Sequence, residues 1–222
     1  MDPVARKKVR KRAAGGASAA DSAREHILQV AIGEFSEKGL AGARVDEIGQ
    51  RISVSRRMIY YYFGSKLGLY RAVLEHCYRQ IRQIDTSPAL EALPPFEALR
   101  EIVRQTFDYH NEHPEFVRIV MNENIHQGEH VRRIAHLKAM SAEVVARLQR
   151  LIALGVADGV FRADLEPVEL HMTISALSFY NVSNRHTFSS LFGHDMSSAA
   201  AVRRRREAVV DIIGSWCRVA AR

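Results

Sequence analysis

The sequence predicts an all-α fold of about nine helices, a small three-helix head followed by a larger helical body. Apolar residues recur at spacings of three and four, and no stretch alternates convincingly as a strand would. Proline and glycine interrupt that pattern at intervals suited to helix ends. Charge separates the two parts: residues 1–85 hold 16 Lys and Arg against 9 Asp and Glu, whereas 86–222 hold 16 of each, so the whole excess of +7 lies in the first third. A basic head on a neutral body is expected where the head meets a polyanion such as nucleic acid.

The elements follow in order. Residues 1–20, with "RKKVRKR" and "AAGGASAA", show no periodic apolar face and read as a flexible basic arm. Ser22 with Glu25 fits a capping box, and Ile27, Leu28, Ala31, Ile32 and Phe35 form one helical stripe ending at Gly39. Val45, Ile48 and Ile52 mark a second, short helix. Ser53 and Val54 leave room for a tight turn, and Ser55 caps a third helix running to Phe63. Gly64 and Ser65 break and recap the chain before a longer fourth helix carrying Leu67, Tyr70, Val73, Leu74, Cys77 and Ile81, which "DTSPALEALPP" punctuates. Helices are then expected over 95–112, 114–125, 131–157 and 168–184, with a short piece near 188–192, and over 198–220. The expected division is an arm at 1–20, a head at 21–66 and a body at 67–222.

Composition excludes several classes. At 47% hydrophobic, the 222 residues can bury a substantial core. No apolar run approaches the roughly 18 residues that span a bilayer, and the basic start lacks a signal-peptide core, which reads as a cytoplasmic protein. Two distant cysteines, Cys77 and Cys217, suggest buried thiols and neither a disulfide framework nor a metal cluster.

The third helix carries the most specific chemistry, "SRRMIYYYFGSK". At roughly 100° per residue, Ile59 and Phe63 define the inward face, with Tyr60 and Tyr62 on its flanks. Tyr61 and Arg57 point outward, and Arg56 sits nearer the flank with Tyr60. Arginine can grip guanine with two hydrogen bonds, and tyrosine reaches phosphate, sugar or a thymine methyl, so this face suits a major-groove reader. Lys66, in the first turn of the fourth helix, opposes the helix dipole, and a bound phosphate would reverse that cost.

Over Ala23 to about Leu74 the chain resembles the N-terminal module of the TetR (tetracycline repressor) family of bacterial regulators, through "FSEKG", "VDEIG", "VSRRMIYYYFGSK" and "LYRAVL". The resemblance implies a helix-turn-helix head on a body that binds a small-molecule effector and forms a homodimer through the last two helices. It also implies a repressor released from a near-palindromic operator, with no enzymatic activity and no cofactor. DNA contacts map onto Arg56, Arg57, Tyr60 and Tyr61, with Ser55 and Lys66 towards phosphate. Three departures stand out: Ser53 occupies a turn position where the family commonly has Gly, Arg57 stands where a small residue is common, and Ala43–Arg44 replace a frequent Thr. Arg44 is therefore expected to reach phosphate in place of a capping hydroxyl. "DYHNEHPEFVRIVMNENIHQG" resembles the branch containing the pyrimidine-utilisation regulator.

In the body, Phe107, His110, Phe116, Met121, Met172, Phe179 and Tyr180 supply the apolar walls and polar points of an effector pocket. The stripe Val209, Ile212, Ile213, Trp216 and Val219 fits a dimer face. Two alternatives compete. "HQGEH", His126 to His130, formally matches a zinc-hydrolase string, but Gly128 interrupts the helix that this motif requires. A non-specific nucleoid protein using the basic arm is the other.

Overall fold

The computed structural model describes residues 3–85 and 88–219, with side chains over 20–84 and 89–219. Its helices are α1 (Pro3–Gly42), α2 (Val45–Arg51), α3 (Arg56–Phe63), α4 (Lys66–Asp85), α5 (Pro88–Glu91), α6 (Pro95–Glu112), α7 (Pro114–Ile125), α8 (Ala135–Ala157), α9 (Pro167–Ser183), α10 (Arg185–Phe192) and α11 (Ala199–Cys217). Among the described residues there is no strand, only an isolated bridge between Phe161 and Arg218. The expected elements are present, with four differences, the first being the short helix α5, inside the segment read as punctuation. The backbone is helical from Pro3, ahead of the capping box at Ser22, while the side chains of 1–19, and with them the reading of a basic arm, lie outside the described residues. A 3₁₀ turn at Val131–Arg133 precedes α8, and the piece near residue 188 is a separate helix, α10, beginning at Arg185. The contacts divide the chain into two compact units, Met1–Leu74 and Glu75–Arg222, a boundary inside α4.

In the first unit α1 buries the predicted stripe of Ile27, Leu28, Ala31, Ile32 and Phe35. It leaves helical geometry at Gly39, whose φ of 63° suits a residue without Cβ. Val45 and Ile48 of α2 and Ile59 of α3 are buried as well, and the ring of Tyr70 of α4 meets Phe35 edge-on at 5.0 Å. Each such fully buried side chain contributes about 1.5–3 kcal/mol relative to an exposed one. The α2–α3 turn is closed by the Val54 N–H donating to the Gly49 carbonyl at 2.9 Å. A Cβ on Gly49 would lie 2.4 Å from the Val54 oxygen, so this close approach requires glycine.

The second unit is built around α6. Its Leu99, Val103 and Phe107 pack with Val144, Leu148 and Ile152 of α8, Leu170 and Ile174 of α9, and Val209, Val210, Ile213 and Cys217 of α11. Ion pairs join α6 to α11 around that core: Arg206 to Asp108 at 3.0 Å and Arg100 to Asp211 at 3.1 Å. This corrects the dimer-face reading of the α11 stripe, because Val209 and Ile213 are spent on the chain's own core. Trp216 is half-buried beneath the Arg162 guanidinium, and of the stripe only Ile212 and Val219 are exposed.

Ser53 holds φ at 56°, left-handed backbone that costs an L-residue about 1 kcal/mol. Ser53→Gly is expected to raise the melting temperature by about 2–4 °C, whereas Gly49→Ala should lower it, as measured by calorimetry.

Candidate nucleic-acid interface and effector cavity

The outer face of α3 is organised by its own side chains. Ser55 caps the helix, its Oγ accepting from the Met58 N–H at 3.2 Å. Ile59 is fully buried, Tyr60 and Tyr62 are half-buried, and Tyr61 is 80% exposed, its ring edge-on to Tyr62 at 5.3 Å. The expected orientation of the three tyrosines is therefore observed. Arg56 donates through Nε and Nη2 to the Tyr60 hydroxyl at 3.2 and 3.1 Å, and through Nη1 to Asp46 of α2 at 3.4 Å. It is thus held in place, while Arg57 projects into solvent beside Tyr61.

Arg44 stands at the N-cap of α2 with no side-chain cap, and its exposed guanidinium comes within 3.9 Å of Glu47. Lys66 has a structural partner, donating through Nζ to the Ala41 carbonyl at 3.1 Å. A lysine at the end of α1 is favoured by that helix's dipole, which offsets its place at the start of α4. It remains half-exposed.

The residue that sequence reading missed is Glu34. Its carboxylate is fully buried, accepts the Arg44 N–H at 3.1 Å, and pairs with Lys38 at 3.0 Å and Arg51 at 3.1 Å. Lys38 also binds Glu47. This network ties α1 to both ends of α2, with Glu34 accepting the N-cap residue's own N–H, the bond that a capping-box carboxylate makes. The only sequence signal was the i,i+4 spacing of Glu34 and Lys38 inside "EFSEK".

In the body, a cavity of about 200 Å³ is lined by Tyr78, Ile81, Arg82, Thr106, His110, Phe116, Val120, His171, Ser175 and Phe179. Three of the seven expected pocket residues, His110, Phe116 and Phe179, are among them. The other four do not line it. Phe107 faces the core, and Met121, Met172 and Tyr180 are 38%, 55% and 43% exposed on the outside of their helices. The ring of His110 clusters with Phe116 and Phe179, and its Nδ1 donates to the Thr106 carbonyl at 2.7 Å. Burial, with help from Arg82, holds His110 below the usual imidazole range. His171, its Nε2 3.5 Å from Arg82 Nη1, is pushed down to about 4 by burial first, then by Arg82 and His110. Both are neutral near pH 7. A larger cavity of about 470 Å³ lies between α5, α6 and α8, with mostly aliphatic walls.

The "HQGEH" string is not a metal centre. Gln127 and Gly128 both take positive φ, so no helix aligns its histidines. His126 is exposed and bonds the Asn122 carbonyl, and Glu129 pairs with Arg133. His130 is buried against Glu123, whose carboxylate also accepts the His130 and Val131 N–H groups at 3.1 Å, clamping the turn before α8. Among the described residues no three potential metal-binding side chains converge. Among the described residues no helix is long and apolar enough to cross a membrane.

Residues 27–73 match the profile described as "Bacterial regulatory proteins, tetR family", and residues 95–213 match "Tetracyclin repressor-like, C-terminal domain". The HTH-type transcriptional repressor NicS of Pseudomonas putida is 41% identical over 185 residues, 83% of this chain and 87% of that protein. The HTH-type transcriptional regulator RutR of Escherichia coli is 34% identical over 104 residues, 46% of this chain and 47% of its own length. Among solved structures, SCO4942 from Streptomyces coelicolor superposes with a TM-score of 0.68 at 24% identity, covering 87% of this chain and 97% of that one.

Replacing Glu34 by Leu should leave the Arg44 N–H without its acceptor and strand Lys38 and Arg51, lowering head stability by roughly 2 kcal/mol in urea titrations. Lys38→Met, which leaves Arg51 and the N–H in place, is expected to cost clearly less.

Proposed function

The chain belongs to the TetR family of bacterial regulatory proteins and is a DNA-binding transcriptional regulator; we propose that it is a homodimeric repressor, released from a near-palindromic operator by a small-molecule effector. The observation that carries the reading is the contrast on α3 between a buried Ile59 and an outer face of Arg57 and Tyr61. Arg57 reads base edges, Tyr61 packs against sugar or a thymine methyl, and Arg56, braced by Tyr60 and Asp46, contributes a preset guanidinium. Arg44, Ser55, Tyr60 and Lys66 contact phosphate. The name of the 41% identical relative supports repression.

Dimer formation is supported by apolar side chains left exposed on the last helices. Val168, Met172 and Tyr180 of α9, Leu191 and Phe192 of α10, and Ile212 of α11 are all 43% or more exposed. A second copy would cover them, and a two-fold dimer presents two α3 helices to two half-sites. The effector occupies the aromatic cavity beside Arg82 and shifts the population towards a state that fits DNA poorly. The protein acts in the bacterial cytoplasm.

Operator binding tests the head. Arg57→Ala and Tyr61→Ala should each weaken affinity for the DNA upstream of the gene by at least tenfold at constant melting temperature, because both side chains are exposed. Affinity should also fall steeply with salt. Equal binding to random DNA would favour the nucleoid-protein alternative. For the interface, combining Tyr180→Arg with Ile212→Arg is expected to convert a two-chain mass into a one-chain mass in light scattering.

A further inference from the structure

Arg56 and Tyr60, one turn apart on α3, are joined by more than proximity. Arg56 Nε and Nη2 both donate to the Tyr60 hydroxyl oxygen, at 3.2 and 3.1 Å, and the guanidinium carbon lies 5.2 Å from the centre of the Tyr60 ring. A phenol oxygen carries one hydrogen and two lone pairs, and here both acceptor positions are taken by one arginine. Towards any third group the Tyr60 hydroxyl can therefore act only as a donor. On the flank of a basic helix, a backbone phosphate, which only accepts, is the partner that matches it.

The same bonds define what Arg56 has left. Each terminal nitrogen carries two hydrogens. One on Nη2 goes to Tyr60 and one on Nη1 is aimed at Asp46 of α2 at 3.4 Å, so a second hydrogen remains on each. Donors on neighbouring nitrogens fit the O6 and N7 acceptors of guanine, a pair that no other base presents in the major groove. The Arg56 side chain is 58% exposed, and the Asp46 carboxylate beside Nη1 repels a phosphate from that end, which leaves an uncharged base edge as the better partner. Bonds to two different helices set the direction of the fork before DNA arrives.

We propose that Arg56 reads a guanine in each half-site and that Tyr60 is its positioning residue, donating its own hydrogen to a backbone phosphate while its oxygen fixes the guanidinium. This deepens the operator-reading role proposed for α3 and rests on it. A phosphate accepting from Tyr60 polarises the hydroxyl and strengthens the bonds that it accepts, so the phosphate contact and the base contact form one cooperative chain.

The test uses the full-length protein and a duplex that it selects from a random-sequence library, each base pair of which is then replaced in turn, with affinity read by fluorescence anisotropy. Arg56→Ala should abolish a guanine preference of about tenfold at one position of each half-site and leave the other positions ranked as in the parent. Tyr60→Phe should weaken the preference at that same position as well as overall affinity. Together the two substitutions should cost less than the product of their separate fold-losses, as expected of residues in one chain of bonds. A merely structural role would weaken every duplex alike. The proposal is overturned if Arg56→Ala does so, if Tyr60→Phe leaves the guanine preference at its parent value, or if the two losses multiply. A base preference lost in Arg57→Ala or Tyr61→Ala would then keep α3 as the operator reader. If no variant on α3 changes any preference, the reading of α3 itself falls with the proposal.

Discussion

A carboxylate with no access to water holds the DNA-binding head in register. A carboxylate buried there needs partners, and Glu34 has them from three directions: Lys38 on its own helix, Arg51 at the far end of α2, and the Arg44 N–H at the near end. A helix of seven residues has little stability of its own, so its orientation depends on what grips its ends. The Glu34 network grips both. From that fixed helix the Gly49–Val54 turn launches α3, and the placement of Arg57 and Tyr61 is inherited from it.

On α3 the two adjacent arginines have been given different degrees of freedom. Arg56 is bound by the Tyr60 hydroxyl and by Asp46, which removes in advance the side-chain entropy that docking would otherwise cost. Arg57 keeps that freedom. Under the proposed role in DNA binding, a braced guanidinium beside an exposed one suits a surface that holds its position on phosphates and adjusts to base edges.

The body shows how one helix can serve three environments. Along α9, Leu170, Ile174, Ser178 and Asn181 are buried in the unit, with Asn181 bonded to Asn111 of α6 at 2.8 Å. His171, Ser175 and Phe179, each four residues apart, face the aromatic cavity. Val168, Met172 and Tyr180 lie on the remaining side, exposed. Apolar residues therefore surround the helix completely, and no single stripe in the sequence separates core from cavity from outer surface.

That helix marks the limit of what the sequence alone conveyed. Helical spacing and Pro/Gly punctuation were enough to determine the class, the order of elements and the inward face of α3, because those are set by local geometry that repeats every few residues. The resemblance of "VSRRMIYYYFGSK" to its family did the same for the type of head. Tertiary packing decided the rest. It assigned Phe107 to the core, Met172 and Tyr180 to the outside, and Arg82 and His171 to a cavity that no spacing announced. It also turned Glu34, one acidic residue among many, into the buried hub of the head. Burial and pairing depend on which distant segment arrives opposite a side chain, and that is a property of the folded chain and not of any stretch of its sequence.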